Sequence, residues 1–410
     1  MMELLNETKK HIHLKASTGE VDNSFVGLKI FGDDIYIYHP ENYSIDLSEN
    51  SFTEDVINLL DTFSFTKISS SDTGILYSGD SDGKFRLDSY IWIIKDYLTK
   101  GYYVNREKKY VKNQNGKVNW KRTLNQTPTV SNGNIIYMDL VTERRTNIDN
   151  IIVDIHKYCV KKSVAFIGWV FNLNEANFKT INMTDELKSY YLYVLQEELN
   201  NTYDDYKKEL FNNMIIVLRG LNEYDTKEII NYGVDHYHYI FERMVDKIFG
   251  NENIKEFYPK GIWLLNNYGT HTSSALRPDT ILKSDNQIFL IDSKYYRFGY
   301  SGDVNDLPET SSIQKQIAYG AYAKKLHSDC EVFNAFIIPY NKLNNHFSSS
   351  EDLFYVGKAF SEVEKQNESY HYIYTFLIDL KHVIKTYNKF NHSTEVKKLI
   401  DRIRVNCSNL

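Results

Sequence analysis

The stretch LRPDTILKSDNQIFLIDSK at residues 276–294 contains two short apolar runs separated by a polar segment. The runs at 280–282 and 287–291 flank Lys-Ser-Asp-Asn at 283–286, a pattern that predicts a β-hairpin. Because a hairpin brings its two ends together, we expect Asp279, at the start of the first strand, and Asp292, at the end of the second, to lie side by side.

Two convergent carboxylates are suited to a hard divalent cation. Lys294 follows Asp292 by two residues, and side chains two apart on a strand point to the same face. The side chain of Ser293 then points away, which leaves its carbonyl oxygen as a further ligand. The stretch therefore predicts a metal site with Asp279, Asp292 and Ser293 as ligands and Lys294 beside them.

Glu242 is a candidate third acid. It lies in a mostly apolar stretch at 239–249 that predicts a helix before the hairpin. A carboxylate directed at a core needs a partner, and a cation held by the two aspartates would supply one. The alternative is a surface glutamate paired with a neighbour one helical turn away.

The helix predicted after the hairpin, at about 311–326, carries Gln316 and Tyr319 on one face. This pair could brace Lys294 or contact a DNA phosphate, and an ordinary exposed helix face is the alternative. His236 and His238 precede Glu242. As residues two apart on a helix they should diverge, so we do not expect them to bind one ion.

Composition limits the class of protein. The chain has 410 residues, enough for two or three domains, and a net charge of -6, so any contact with DNA must be local. Three distant cysteines favour neither a disulfide framework nor a zinc site. No apolar stretch approaches the roughly 18 residues of a membrane span. We expect a cytoplasmic protein with no membrane association.

The pattern along the chain predicts a multidomain α+β or α/β protein with three regions. Residues 1–160 are rich in short strand-like runs, 161–225 form a helical connecting region, and 226–410 contain the hairpin. Thr184 and Thr226 are candidate helix N-caps. Residues 106–122 concentrate lysine and arginine around Tyr110 and Trp120, which predicts a basic ribbon or a merely solvated face.

Taken together, these motifs resemble the PD-(D/E)xK nuclease superfamily in its McrC-like and RecB-like branch, and the LlaJI family of restriction endonucleases. The nuclease motifs are Pro278-Asp279, Asp292-Ser293-Lys294, Phe241-Glu242 and the stretch at 315–319. The LlaJI-like motifs are the stretches at 97–103, 106–107 and 116–123.

The resemblance implies a Mg²⁺-dependent endonuclease, with Mn²⁺ as an alternative ion, that cuts double-stranded DNA in a restriction system. Its PD-(D/E)xK core, at 226–410, would be a central mixed sheet flanked by helices. The catalytic residues would be Asp279, Asp292, Lys294 and Glu242, with Gln316 and Tyr319 in support.

The resemblance also implies a McrB-like AAA+ GTPase or ATPase as partner. This chain is not expected to bind nucleotide, because the glycine-containing segment at 79–85 lacks the spacing of a Walker A loop. In McrC-like proteins the N-terminal part docks on the motor, so 25–158 is the candidate docking region.

Two other functions remain open from the sequence. A catalytically silent subunit could activate or assemble the motor, although such a protein would normally have lost an acid or the lysine. A RecB-type repair nuclease would share the site but act on DNA ends with a helicase.

Overall fold

The chain folds into a mixture of helices and small sheets. This computed structural model describes residues 11–18, 24–63, 76–78, 87–132, 134–148, 151–179, 182–220, 230–252 and 254–407. Strands β1 to β17 are His11–Ser17, Val26–Phe31, Asp34–Pro40, Leu76–Ser78, Asn105–Lys112, Lys117–Val118, Thr129–Ser131, Asn134–Ile136, Val141–Ile148, Ile230–Val234, Ile262–Leu265, Gly269–Thr272, Thr280–Ser284, Gln287–Ser293, Glu331–Tyr340, Leu353–Ala359 and Ile373–Asp379. Helices α1 to α11 are Glu49–Asp61, Leu87–Lys100, Trp120–Leu124, Ile151–Ile167, Asp185–Asn201, Asp205–Arg219, Tyr237–Phe249, Phe298–Ser301, Thr310–Leu326, Leu380–Thr386 and Ser393–Cys407.

Contacts divide the chain into two compact units. One, the discontinuous unit, combines Met1–Gly79 with Thr226–Leu410, and the other, the inserted unit, is Asp80–Asp225. The inserted unit ends at Asp225. The predicted boundary at 160 lies inside α4. The segment at 79–85, which lacks the spacing of a Walker A loop, lies outside the described residues.

The inserted unit is built from packed helices and a basic ribbon. Helices α2, α4, α5 and α6 pack on one another. Inside this bundle Asp96 accepts a hydrogen bond from Tyr206 at 2.8 Å and pairs with Lys100. The predicted basic ribbon contains β5, which pairs with β9 along eight residues, together with β6 and the start of α3. Arg122 lies 3.9 Å over the ring of Tyr110.

The N-terminal strands belong to the discontinuous unit, where they form a five-stranded sheet in the order β1-β3-β2-β10-β4. Only the β1–β3 pair of this sheet is parallel. Strand β10, which follows the inserted unit in sequence, lies between β2 and β4. Sequence reasoning placed Ile230 on a helix beginning at Thr226; residues 226–229 lie outside the described part, and Ile230 begins β10 instead. The strand is favoured because alternate residues Tyr232 and Val234 are buried in the sheet.

The second sheet contains the predicted hairpin and has the order β13-β14-β15-β17-β16. Its central strands β14, β15 and β17 are parallel, and β13 and β16 run antiparallel at the edges. Residues 288–293 and 332–340 are continuously buried, as expected for parallel strands covered on both faces. Helix α7 packs on β13 and β14, and α9 packs on β14 and β15. The predicted mixed α+β character is confirmed, and the specific nuclease-type core stays a prediction.

Gly233→Ala is expected to destabilise the N-terminal sheet. A Cβ at Gly233 would lie 2.2 Å from the carbonyl oxygen of Val26 and 2.8 Å from the Cα of Gly27, so β10 and β2 would have to separate. We expect a loss of about 1–3 kcal/mol in the free energy of unfolding, measured by denaturant titration. Phe31→Ala, which truncates a side chain that is 53% exposed on β2, is the control. Equal unfolding midpoints for the two variants would contradict this expectation.

Candidate active site

The predicted hairpin is confirmed as β13 and β14. Thr280 pairs with Ile291 at its open end, and Ser284 pairs with Gln287 at the turn. Asp285, in the turn, has a φ of 51°. Aspartate adopts this left-handed conformation more readily than most residues, which helps to explain why the turn falls here. The pairing fixes the register, so Asp279 and Asp292 come next to each other at the open end.

Asp279 lies against the second strand of the hairpin. Its Oδ2 accepts a hydrogen bond from the backbone N–H of Ser293 at 2.9 Å. Burial raises the pKa of Asp279 well above its ordinary value, and the negative charges of Asp292 and Glu242 raise it further. The two aspartates therefore converge as the sequence predicted, and their proximity favours retention of a proton or binding of a cation.

Asp292 and Lys294 form an ion pair beside Asp279. The Lys294 Nζ lies 2.5 Å from Asp292 Oδ2, and Asp292 is only 2% exposed. Burial by itself would lower the pKa of Lys294, but the charge of Asp292 and its hydrogen bond outweigh that effect and raise the pKa. The side chains two apart thus share a face as predicted, and Lys294 stays a cation at neutral pH.

Glu242, on α7, is half-buried and directed toward the same group. Burial raises the pKa of Glu242 to about 7, assisted by the charge of Asp292 and opposed by Lys294, Lys315 and Arg243. Glu242 lines the same cavity as Ser293 and Lys294, at the end of the hairpin. The alternative of an exposed helix-surface glutamate does not describe this position.

A cavity of about 650 Å³ in the discontinuous unit borders part of this group, although neither Asp279 nor Asp292 is among its lining residues. Glu242, Ser293 and Lys294 form part of its wall. Its other charged residues are four acids, Glu41, Asp235, Asp306 and Glu309, and one base, Arg297. Arg297 is itself paired with Glu41 at 3.1 Å. A cavity with this excess of negative charge repels a phosphate unless a cation offsets the charge.

The donor chemistry fits a divalent cation, although the carboxylates do not form a ready cage. Asp279, Asp292 and Glu242 supply hard oxygen ligands of the kind that Mg²⁺ prefers. Burial first, and then the neighbouring negative charges, raises the pKa values of Asp279 and Glu242. In the part of the chain that the structure describes, no three His, Cys, Asp or Glu side chains are grouped closely enough to enclose an ion.

Gln316 and Tyr319 support the hairpin backbone. Both side chains are 1% exposed, so the exposed-helix alternative is wrong for them. Gln316 Nε2 donates to the carbonyl oxygen of Leu290 at 2.8 Å, and the Tyr319 hydroxyl donates to that of Arg277 at 2.7 Å. Each acceptor lies two residues before one of the aspartates. The observed contacts are therefore with the hairpin backbone, and their burial does not favour the predicted phosphate contact.

His236 and His238 also line the cavity, which sequence reasoning missed. Their ring centroids are 5.5 Å apart. The expected divergence assumed that both residues lie on one helix, but His236 precedes the first residue of α7 and follows a different path. Burial lowers the pKa of His238, and the charge of the neighbouring His236 lowers it further. The His238 ring is therefore neutral at neutral pH.

Comparison with known proteins places this chain in the class of restriction endonucleases and restriction-system components. Residues 25–395 match the model of the LlaJI restriction endonuclease family, and the chain belongs to that family. The type II restriction enzyme BsuMI component YdjA of Bacillus subtilis (strain 168) is 26% identical over 266 residues. The match covers 60% of this chain and 56% of YdjA, so the chain spans only about half the length of that relative.

A solved structure to which the chain has a weak likeness is a half-complex from a tetradecameric assembly of Thermococcus gammatolerans McrB AAA+ hexamers with bound McrC. It covers 94% of this chain and 83% of the matched chain, at 11% identity and a TM-score of 0.35. A likeness this weak carries no argument about fold or partner.

Among the described residues, no helix is both long and apolar enough to cross a membrane.

Glu242→Gln is expected to stabilise the chain at pH 8 but not at pH 4.5. The carboxyl has a pKa of about 7 when folded, against an ordinary value of 4.5. Its stabilising contribution is therefore present below pH 4.5 and is lost as the pH rises through 7. Glutamine avoids this loss, which should amount to roughly 1–2 kcal/mol after allowance for partial exposure.

The measurement is denaturant unfolding at both pH values without divalent cations. Glu252→Gln, at an exposed position, is the matched control and should leave the pH profile unchanged. A Glu242→Gln profile parallel to that of the wild type would show that Glu242 does not carry a raised pKa.

Proposed function

We propose that this chain is the Mg²⁺-dependent endonuclease subunit of a restriction system for defence against phage. It would cut double-stranded DNA together with a McrB-like AAA+ GTPase or ATPase. The observation that carries the proposal is the gathering of Asp279, Asp292 and Lys294 at one end of a single hairpin. Membership of the LlaJI family supports the reaction class.

The reaction would be hydrolysis of a phosphodiester. A water oxygen forms a bond to phosphorus, the bond to one ester oxygen breaks, and a proton reaches that oxygen. Asp279, Asp292, the Ser293 carbonyl and Glu242 would hold Mg²⁺, with Mn²⁺ as a substitute; such an ion lowers the pKa of bound water and offsets charge on the phosphate. The Asp292–Lys294 pair would have to loosen for Asp292 to serve as a ligand.

Lys294 would then act on the substrate. Its side chain lines the cavity, and its raised pKa keeps the ammonium charged at neutral pH. A released ammonium is suited to contact a non-bridging phosphate oxygen and to stabilise the negative charge that grows during attack.

Glu242 is suited to exchange a proton during the reaction if it is not fully committed as a ligand. A carboxyl with a pKa of about 7 can take up or release a proton near neutral pH. Its position on the cavity wall gives it access to solvent. We propose that its carboxylate holds the attacking water, directly or through the ion.

The motor would come from a separate protein. The relative YdjA is described as one component of a restriction enzyme, which favours a system of several chains. We propose that the basic ribbon of the inserted unit docks on the motor. Its exposed Trp120 and the Arg122–Tyr110 contact provide a surface of cationic and aromatic groups.

Asp279→Asn, Asp292→Asn and Lys294→Ala are each expected to reduce DNA cleavage by at least ~100-fold, because each removes a charge from the reacting centre. The assay is plasmid cleavage by the full chain with a McrB-like AAA+ nucleotidase, Mg²⁺ and GTP or ATP. Lys283→Ala, on the same hairpin but away from its open end, is the matched control and should cut normally.

Other outcomes separate the alternative functions. Unchanged cleavage in all three variants would refute the site. A wild-type chain that stimulates nucleotide hydrolysis but never cuts DNA would be an activating subunit. Cleavage that requires a free DNA end would identify a repair nuclease.

Mg²⁺ should also raise the thermal midpoint of the wild type at pH 8, since a ligand that binds only the folded chain stabilises it. Asp279→Asn should lose this response, whereas Lys283→Ala should keep it. Differential scanning fluorimetry without DNA measures the effect independently of activity. An equal Mg²⁺ response in Asp279→Asn would exclude Asp279 as a ligand.

A further inference from the structure

The hairpin of β11 and β12 exposes apolar side chains on both faces. Ile262 pairs with Thr272, and Leu265 pairs with Gly269 across the turn. The exposed fractions of Ile262, Trp263, Leu264 and Tyr268 are 69%, 61%, 79% and 77%. An isolated two-stranded hairpin is marginally stable, and an exposed apolar patch of this kind marks an interaction site.

The charge of the surrounding sequence identifies the kind of partner. Residues 257–278 contain no aspartate or glutamate, in a chain with 54 of them and a net charge of -6. The exposed residues Lys260 and Arg277 flank the hairpin on its two sides. A segment that lacks acids and has a cation at each base is complementary to a polyanion. Binding to a protein partner would not require that residues 257–278 lack aspartate and glutamate.

The turn of the hairpin carries groups that recognise bases. Asn266, Asn267 and Tyr268 are exposed between the two strands. An asparagine amide offers both a donor and an acceptor to a base edge, and an aromatic ring can stack on a base. A two-stranded ribbon also has the width to enter a DNA groove.

The base of this hairpin is connected to the candidate active site. The Ser273 N–H donates to the Gly261 carbonyl at 2.8 Å, and the Leu276 N–H donates to that of Pro259 at 2.9 Å. The next residue, Arg277, receives the Tyr319 hydroxyl bond and directly precedes Pro278-Asp279. A groove occupied by the hairpin would therefore bring nearby phosphates toward Asp279.

We propose that the β11–β12 hairpin enters a groove of duplex DNA and stacks Trp263 or Tyr268 on bases near the phosphate to be cut. The inference rests on the proposed nuclease function and adds a DNA-positioning element to it. Insertion of apolar side chains between base steps unstacks them and bends the duplex, which places the backbone against the cutting site.

The test measures DNA binding by the full chain with a McrB-like AAA+ nucleotidase, with Ca²⁺ in place of Mg²⁺ to hold back cleavage. The duplex carries 2-aminopurine, whose fluorescence rises when the base is unstacked. Trp263→Ala and Tyr268→Ala are expected to weaken binding by ~10–100-fold and to reduce the fluorescence rise. Trp263→Phe should restore most of both signals.

Phe390→Ala, which removes an aromatic ring that is fully exposed elsewhere, is the matched control and should bind like the wild type. Unaltered affinity and fluorescence in both alanine variants would overturn the inference. A change in their sedimentation mass would then identify a second copy as the occupant, and loss of the nucleotidase from the complex would identify the motor.

Failure of the nuclease function is distinguishable from failure of the hairpin inference. If the chain binds and unstacks DNA through Trp263 but never cuts it with Mg²⁺, the hairpin inference stands and the proposed nuclease function is wrong. If the Trp263→Ala and Tyr268→Ala variants both cut DNA normally, the proposed nuclease function stands and the hairpin inference is wrong.

Discussion

The burial of three neighbouring carboxylates, of which Asp292 is almost fully buried, constrains the centre of this molecule. Burial and mutual charge raise the pKa values of Asp279 and Glu242, and Lys294 compensates Asp292 at 2.5 Å. Groups with shifted pKa values beside a cavity are typical of active sites, because their uncompensated charge is available to a ligand. Burial and mutual charge together explain why a cation would complement these carboxylates.

The supporting structure holds the acids on strands and fixes their backbone from several sides. The Ser293 N–H binds Asp279, and two buried side chains of α9, Gln316 and Tyr319, bind the carbonyls of Leu290 and Arg277. Groups held this way lose little conformational freedom when a ligand binds. The inner polar residues of α9 thus position the hairpin that carries the chemistry.

The hairpin of the second sheet and the pairing of the site residues could be predicted from sequence, because strand alternation and turn chemistry are local. The meeting of Asp279 and Asp292 follows from the hairpin register, and the Lys294 contact follows from a period of two. Contacts with the backbone, such as that of Gln316, leave no sequence pattern. The placement of His236 depended on where α7 begins, and helix ends are weakly encoded. The place of β10 depends on pairing with strands far away in sequence.

The position of β10 has a consequence for the order in which the chain folds during synthesis. This strand lies between β2 and β4, yet it emerges from the ribosome only after the whole of Asp80–Asp225. Until then β2 and β4 lack the strand that joins them, and their unpaired edges are open to wrong pairing. The inserted unit has its own local helix contacts and can fold before β10 is synthesised. Completion of the N-terminal sheet is therefore a late event in the folding of the newly made chain.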